Sequence, residues 1–172
     1  MSNKELYDNI FIVGNEINYP KNLNKKCYAI MYPTDGFYLK KEQHEVIWKS
    51  LNELGFINEV FGIDIEFLDV KKNKSNDVRK LFKFDFADYR KDLLLFENCI
   101  YDSEFKWSVS VFQDYWAIIY GEKVLIDKIS LNYDLKSDLD DFFDQIIDEI
   151  KHEKTKASLI NFVNNSHISK KR

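Results

Sequence analysis

The stretch from Trp107 to Ile150, WSVSVFQDYWAIIYGEKVLIDKISLNYDLKSDLDDFFDQIIDEI, constrains the fold more than any other part of the chain. Its opening reads as a hairpin of two strands meeting at Gln113-Asp114. On the first strand Trp107, Val109 and Val111 alternate with Ser108, Ser110 and Phe112, whereas every position from Tyr115 to Tyr120 is apolar. A period of two predicts one buried face and one lighter face for the first strand. An unbroken apolar run predicts a central strand covered on both faces, and Gly121 ends it. Trp107 and Trp116 carry two readings. They are anchors of a partner-binding surface, where large aromatics dominate the energetics, or they are core and cross-strand pairs.

The second half of the stretch is helical in pattern. From Ser137 to His152 the apolar residues Leu139, Phe142, Phe143, Ile146, Ile147 and Ile150 follow the i, i+3, i+4, i+7 series of an amphipathic helix. Ser137 suits the N-cap, and Asp138, Asp140 and Asp141 fall in the first turn, where the helix dipole favours carboxylates. The dipole does not account for Asp144, Asp148 and Glu149. Asp144 and Asp148 lie one turn apart and repel by a few tenths of a kcal/mol. Asp141, Asp144 and Asp148 therefore form an outward acidic stripe that helix stability does not require. It serves either as a docking surface for a basic partner or as a solvated face that maintains solubility.

Elsewhere the chain alternates strand-like and helical patterns. Ile10 to Val13 reads as an outer strand, residues 18–26 as polar and turn-like, and Cys27 to Tyr32 as a central strand that stops at Pro33 in a Pro-Thr-Asp-Gly turn. A helix follows from Lys40 to Leu54, with Val46, Ile47, Leu51 and Leu54 inward and Gly55 as its stop. Gly62 to Leu68 alternates as a half-exposed strand, and a short strand is predicted near 81–84. A helix capped by Asp85 or Asp88 is expected to run to Tyr101, with Phe86, Tyr89, Leu93, Phe96 and Ile100 on one face. A short helix is expected over Glu122–Ile129. The whole predicts an α+β fold: a single mixed or antiparallel sheet with helices packed mainly on one face.

The 172 residues suit one domain with a sizeable core, and 45% of them are apolar. Residues 1–152 are assigned to that domain. Residues 153–172 are expected to be a basic, frayed tail in which Leu159, Ile160, Phe162 and Val163 add a turn or two of helix. The tail carries +4, and because the chain totals −4 the remainder carries −8. An acidic body argues against general nucleic-acid binding, which needs a basic patch, and leaves a basic protein as the natural partner.

Cys27 and Cys99 lie in apolar surroundings and read as free buried thiols in a reducing compartment. No apolar run is long enough for a signal peptide or a membrane span, so the expected location is the cytoplasm. The three histidines, His44, His152 and His167, fall in no recognisable nucleophile context, and the phosphate-loop, dinucleotide and nucleophile-elbow motifs are absent. No cofactor and no metal is expected. One weak enzymatic pattern exists: Asp69-x-Lys71 at the end of an apolar run, with Asp64 and Glu66 nearby and Asp35 as a further carboxylate. It resembles the acid-x-Lys strand of metal-dependent nucleases, although a strand end followed by a solvated loop gives the same letters.

Two segments, YAIMYPTDGFYLKKEQHEVI and LFENCIYDSEFKWSVSVFQDYWAIIYGEKVLIDKI, carry a family resemblance. Their markers are Tyr32-Pro33, Glu42-Gln43, Asn98-Cys99-Ile100-Tyr101 followed by Trp107-Ser108-Val109, and Gly121. In these the chain is similar to a family of small uncharacterised domains of Gram-positive bacteria that resemble immunity proteins of toxin systems. It departs from the pattern at the hairpin turn, where an acidic or His-containing turn is replaced by Phe112-Gln113-Asp114-Tyr115. The resemblance implies a non-catalytic immunity or antitoxin protein that neutralises a cognate toxin domain, a nuclease in many such systems. The partner-binding candidates are Asp141, Asp144 and Asp148, then Trp107 and Trp116 on the hairpin. The alternative is a small metal-dependent nuclease-like enzyme or a small-molecule-binding domain with an aromatic pocket.

Overall fold

In the computed structural model, residues 11–12, 19–20, 27–64, 79–81, 86–92 and 97–168 are described. The strands are β1 (Phe11–Ile12), β2 (Tyr19–Pro20), β3 (Cys27–Met31), β4 (Val60–Asp64), β5 (Arg79–Leu81), β6 (Asn98–Asp102), β7 (Ser108–Phe112) and β8 (Trp116–Gly121). The helices are α1 (Lys41–Glu53), α2 (Phe86–Asp92), α3 (Lys123–Ser130), α4 (Leu135–Phe142), which continues as a π-turn over Phe143–Ile147, and α5 (Glu153–Asn164). Six strands form one antiparallel sheet in the order β3-β8-β7-β6-β4-β5, and β1 and β2 pair separately. The fold is α+β with an antiparallel sheet, as the patterning predicts.

The pleat sends alternate residues to opposite faces, and both faces are covered. Ala29, Met31, Val60, Ile100, Val109, Val111, Ala117 and Ile119 pack with Val46, Ile47 and Leu51 of α1, Tyr89 of α2, and Leu125, Ile126 and Ile129 of α3. Tyr28, Ile30, Ile63, Cys99, Tyr101, Phe112, Trp116, Ile118 and Tyr120 face the other way, in a second core with Leu139, Phe142, Ile147, Leu159, Phe162 and Val163. The helices are thus shared between the two faces rather than gathered mainly on one. β7 and β8 lie in mid-sheet and are buried throughout, so Ser108 and Ser110 do not form the lighter face that their polarity predicted.

Several boundaries differ from the local pattern, each for a physical reason. The helix expected to reach Tyr101 is described over Phe86–Asp92, residues 93–96 lie outside the described residues, and Asn98–Asp102 is instead a strand paired on both sides, to β4 and β7. Pairing from two neighbours outweighs a helical spacing that apolar residues satisfy easily. Tyr19–Pro20, read as turn, pairs with Phe11–Ile12. The helix expected from Ser137 starts at Leu135, because Asp134 is the cap: its carboxylate accepts from Ser137 N at 3.1 Å. The π-turn then interrupts the regular spacing, leaving Ile147 fully buried but Phe143 and Ile146 only half-buried. The expected polar tail is a docked helix, α5, whose Leu159, Phe162 and Val163 belong to the second core. The C-terminal stop of α1 follows expectation. Gly55 is at φ 67°, and the bonds Gly55 N to Asn52 O (3.1 Å) and Phe56 N to Leu51 O (2.9 Å) close a Schellman turn.

Candidate functional site

The sheet's outer strand, β3, ends beside α4. Beyond Met31 the chain enters Tyr32, joined to Pro33 by a cis peptide, and the turn Thr34-Asp35-Gly36. Tyr32 N donates to Asp138 Oδ2 at 2.9 Å, and the Tyr133 hydroxyl donates to the same oxygen at 2.9 Å. Gln43 completes the network. Its Nε2 donates to Tyr133 Oη (3.1 Å) and Pro33 O (3.2 Å), while its Oε1 accepts from Lys40 N (2.9 Å). Four parts of the chain therefore meet at Asp138: the end of β3, the start of α1, the α3–α4 link and α4 itself.

The carboxyl of Asp138 is buried, and burial pushes its pKa up from the usual carboxylate range to about 6. The bonds from Tyr32 and Tyr133 and the charge of Lys40 oppose that shift, and Asp141 adds to it. Burial also raises the Tyr133 hydroxyl, with the charge of Asp138 contributing. Tyr32 is raised by burial first, then by Glu149 and Asp141. Its hydroxyl donates to Gln145 Oε1 at 3.0 Å, which ties the end of β3 to the π-turn.

The predicted acidic residues are placed unevenly around this hub. Asp141, Asp144 and Asp148 are all exposed. Asp148 is held by Lys156 at 3.3 Å, and Asp140 by Lys136 at 3.1 Å. Among the described residues neither Asp141 nor Asp144 forms an ion pair. Glu149 is exposed on the same segment.

Trp107 and Trp116 are not surface anchors. Trp107 is 1% exposed, with its indole Nε1 donating to Phe56 O at 3.0 Å. Trp116 is 6% exposed, stacked on Phe112 at 4.3 Å between ring centroids and leaning on Phe142 at 5.1 Å. Such burial follows from a mid-sheet hairpin with helices on both sides. The exposed aromatic of the hairpin is instead Tyr115, at 57%.

The nuclease pattern is not assembled among the described residues. Asp35 is exposed and paired with Arg90 at 3.2 Å, Asp64 ends β4, and Glu66, Asp69 and Lys71 lie outside the described residues. The histidines occupy separate settings. His44 stacks on Tyr89 at 5.1 Å, His152 lies 3.2 Å from Thr155 Oγ1, and His167 Nε2 lies 2.9 Å from Asp127 Oδ1. Both cysteines are free, and burial pushes the Cys99 thiol up to about 12. Among the described residues no group of three or more His, Cys, Asp or Glu side chains is placed to hold a metal ion.

Two residues of this region escape sequence reasoning. Asp138 reads as one more first-turn acid, yet it lies three residues after Leu135 and four before Phe142, so it falls on the apolar face. That spacing is the signal. Tyr115 reads as part of the apolar strand run and gives no signal of its own. What the region brings together is carboxylates and tyrosine hydroxyls, groups that recognise cations and hydrogen-bond donors.

Comparison with protein-family models, curated proteins and solved structures gives no match for this chain. No helix among the described residues is long and apolar enough to cross a membrane.

Proposed function

We propose that the chain is an immunity-like protein that binds and neutralises a basic toxin domain in the cytoplasm of the producing cell, through the outer face of α4 and its π-turn. The observation that carries this reading is the exposure of Asp141 and Asp144 without a cationic partner among the described residues, next to two acids that do have one. Exposed like charges one turn apart weaken a helix slightly, so their use lies outside the helix. A cluster of carboxylates steers a basic partner during encounter and can occupy the positions of phosphates in a nuclease groove. The family resemblance at Tyr32-Pro33, Glu42-Gln43 and the hairpin supports the same reading.

The test is neutralisation in cells. The chain is co-expressed with each basic toxin domain encoded in its own genome, and growth is followed. One toxin should be neutralised, and its purified domain should bind with an association rate that falls steeply with salt. Asp141→Asn with Asp144→Asn should slow association roughly tenfold at low salt and flatten the salt dependence, without lowering the melting temperature. Asp148 is left out because removing it also strands Lys156. If no toxin domain is neutralised, the reading fails; an unchanged association rate in the double variant removes α4 from the interface.

A further inference from the structure

We propose that Tyr115 is the aromatic anchor of the docking surface and that it receives an arginine side chain from a basic segment of the protein partner. This rests on the reading above and adds both a place and a residue type to it. The β7–β8 loop is Gln113-Asp114-Tyr115, with Phe112 paired to Trp116. Tyr115 closes it at φ 64°, in the left-handed region. Glycine or asparagine fills that position with little strain, and a three-residue hairpin asks for nothing more. Turn chemistry therefore does not explain a tyrosine. Core packing does not explain it either, because the side chain is 57% exposed. The backbone there is pinned, since Thr34 N donates to Tyr115 O at 2.7 Å. The result is an exposed ring on a pre-ordered backbone, the form in which aromatic residues serve as binding anchors at low entropic cost.

The surroundings select the occupant. Asp114 is exposed on the same loop, and Glu97 accepts from Gln113 N at 3.2 Å, which brings a second carboxylate to its base. The bond from Thr34 joins the loop to the turn after Tyr32, and the Tyr32 hydroxyl reaches Gln145. The ring of Trp116 lies on Phe142, the neighbour of Asp141. Hairpin tip, cis-proline turn and acidic end of α4 thus share one end of the sheet. An aromatic face beside carboxylates suits a guanidinium, which stacks flat on a ring while its edge pairs with a carboxylate; an ammonium has neither the flat face nor the donor fork and engages both less well.

The test uses the whole labelled chain in solution, titrated at low salt with an amidated pentapeptide of alternating glycine and arginine, followed by amide chemical shifts. The expected result is weak binding, with a Kd on the order of 1 mM, and shifts centred on residues 34–35, 113–115 and 141–145. The lysine counterpart should bind at least about threefold more weakly. Tyr115→Asn keeps a residue suited to the left-handed backbone and removes the ring. It should leave the fold and melting temperature intact or improved, and weaken the arginine peptide about fivefold or more. Shifts spread over the acids of α1, equal binding of the two peptides, or unchanged binding by Tyr115→Asn would overturn the proposal. Shifts of the same residues that depend on protein concentration alone would assign the surface to a second copy of the chain and overturn it as well. Because the probe is a defined peptide, a negative result leaves the neutralisation test standing. Conversely, loss of neutralisation with intact peptide binding would leave Tyr115 as an anchor for a different basic partner.

Discussion

A single residue, Asp138, sets the character of the junction beneath the acidic face. One of its oxygens takes two hydrogen bonds, a buried one from Tyr32 N and a half-buried one from Tyr133 Oη. Its folded pKa, about 6, lies above the ordinary aspartate value of 3.8. Between those values the folded chain holds a proton that the unfolded chain has released, so Asp138's contribution to stability falls as pH rises from about 4 to about 6. Asparagine keeps an oxygen in the same place and carries no charge. Asp138→Asn should therefore melt higher than the wild type at pH 7, with the advantage shrinking toward pH 4, in paired melting curves across that range. Asp138→Ala strands the buried Tyr32 N–H and the half-buried Tyr133 hydroxyl and should cost about 1–3 kcal/mol at pH 7 by urea unfolding. If the asparagine variant were the less stable of the two at neutral pH, the charge itself would have to be favourable and the account above would fail. The indole of Trp107 illustrates the opposite assignment. Trp107→Ala should lose about 3–5 kcal/mol of stability, a core effect that a partner-binding anchor on the surface would not show.

At the scale of elements, the outer strand β3 explains why α5 is not a tail. An open strand edge is a template for aggregation, and the edge of β3 is occupied at both ends. His167 N donates to Tyr28 O at 2.9 Å, and Asp138 accepts from Tyr32 N. Tyr28 is held further by stacking on Phe162 at 4.7 Å and by a hydrogen bond from its hydroxyl to Phe162 O. Removing residues 153–172 uncovers Leu159, Phe162 and Val163's share of the second core along with one end of that edge. The truncated chain should fail to give a folded monomer, as read by circular dichroism and light scattering. A stable folded monomer ending at residue 152 would show that α5 contributes nothing essential. The π-turn belongs to this scale too. An extra residue per turn brings Gln145 to the Tyr32 hydroxyl while Ile147 stays buried.

For the molecule as a whole, the decisive property is a sheet covered on both faces. Amides in the middle of such a sheet exchange only through opening of most of the structure. Val109, Val111, Ile118 and Ile119 should thus be the slowest to exchange with deuterium. Slow exchange centred on α1 or α5 instead would place the stable core elsewhere. The surface charge acts at this scale as well, because the body's excess of acids, not any one side chain, sets the range over which a basic partner is attracted.

The letters alone determine the features that depend on short-range periodicity and backbone chemistry. They include the two-strand hairpin, the apolar run of β8, α1 with its Gly55 stop, α3, and the α+β class. They also bring Asp141 and Asp144 to the outside, since helical spacing suffices for that. Tertiary structure decided the rest. Asn98–Asp102 became a strand because β4 and β7 flank it, Trp107, Trp116, Ser108 and Ser110 were buried because the hairpin lies in mid-sheet, and residues 153–164 docked because β3 offered an edge and an apolar face. Asp138 was drawn inward where Tyr32 and Tyr133 supply donors, and Tyr115 was left outside where no described element covers the tip. Periodicity reports which face of an element is apolar; the neighbours that cover a face, pair an edge or satisfy a buried charge come from distant parts of the chain.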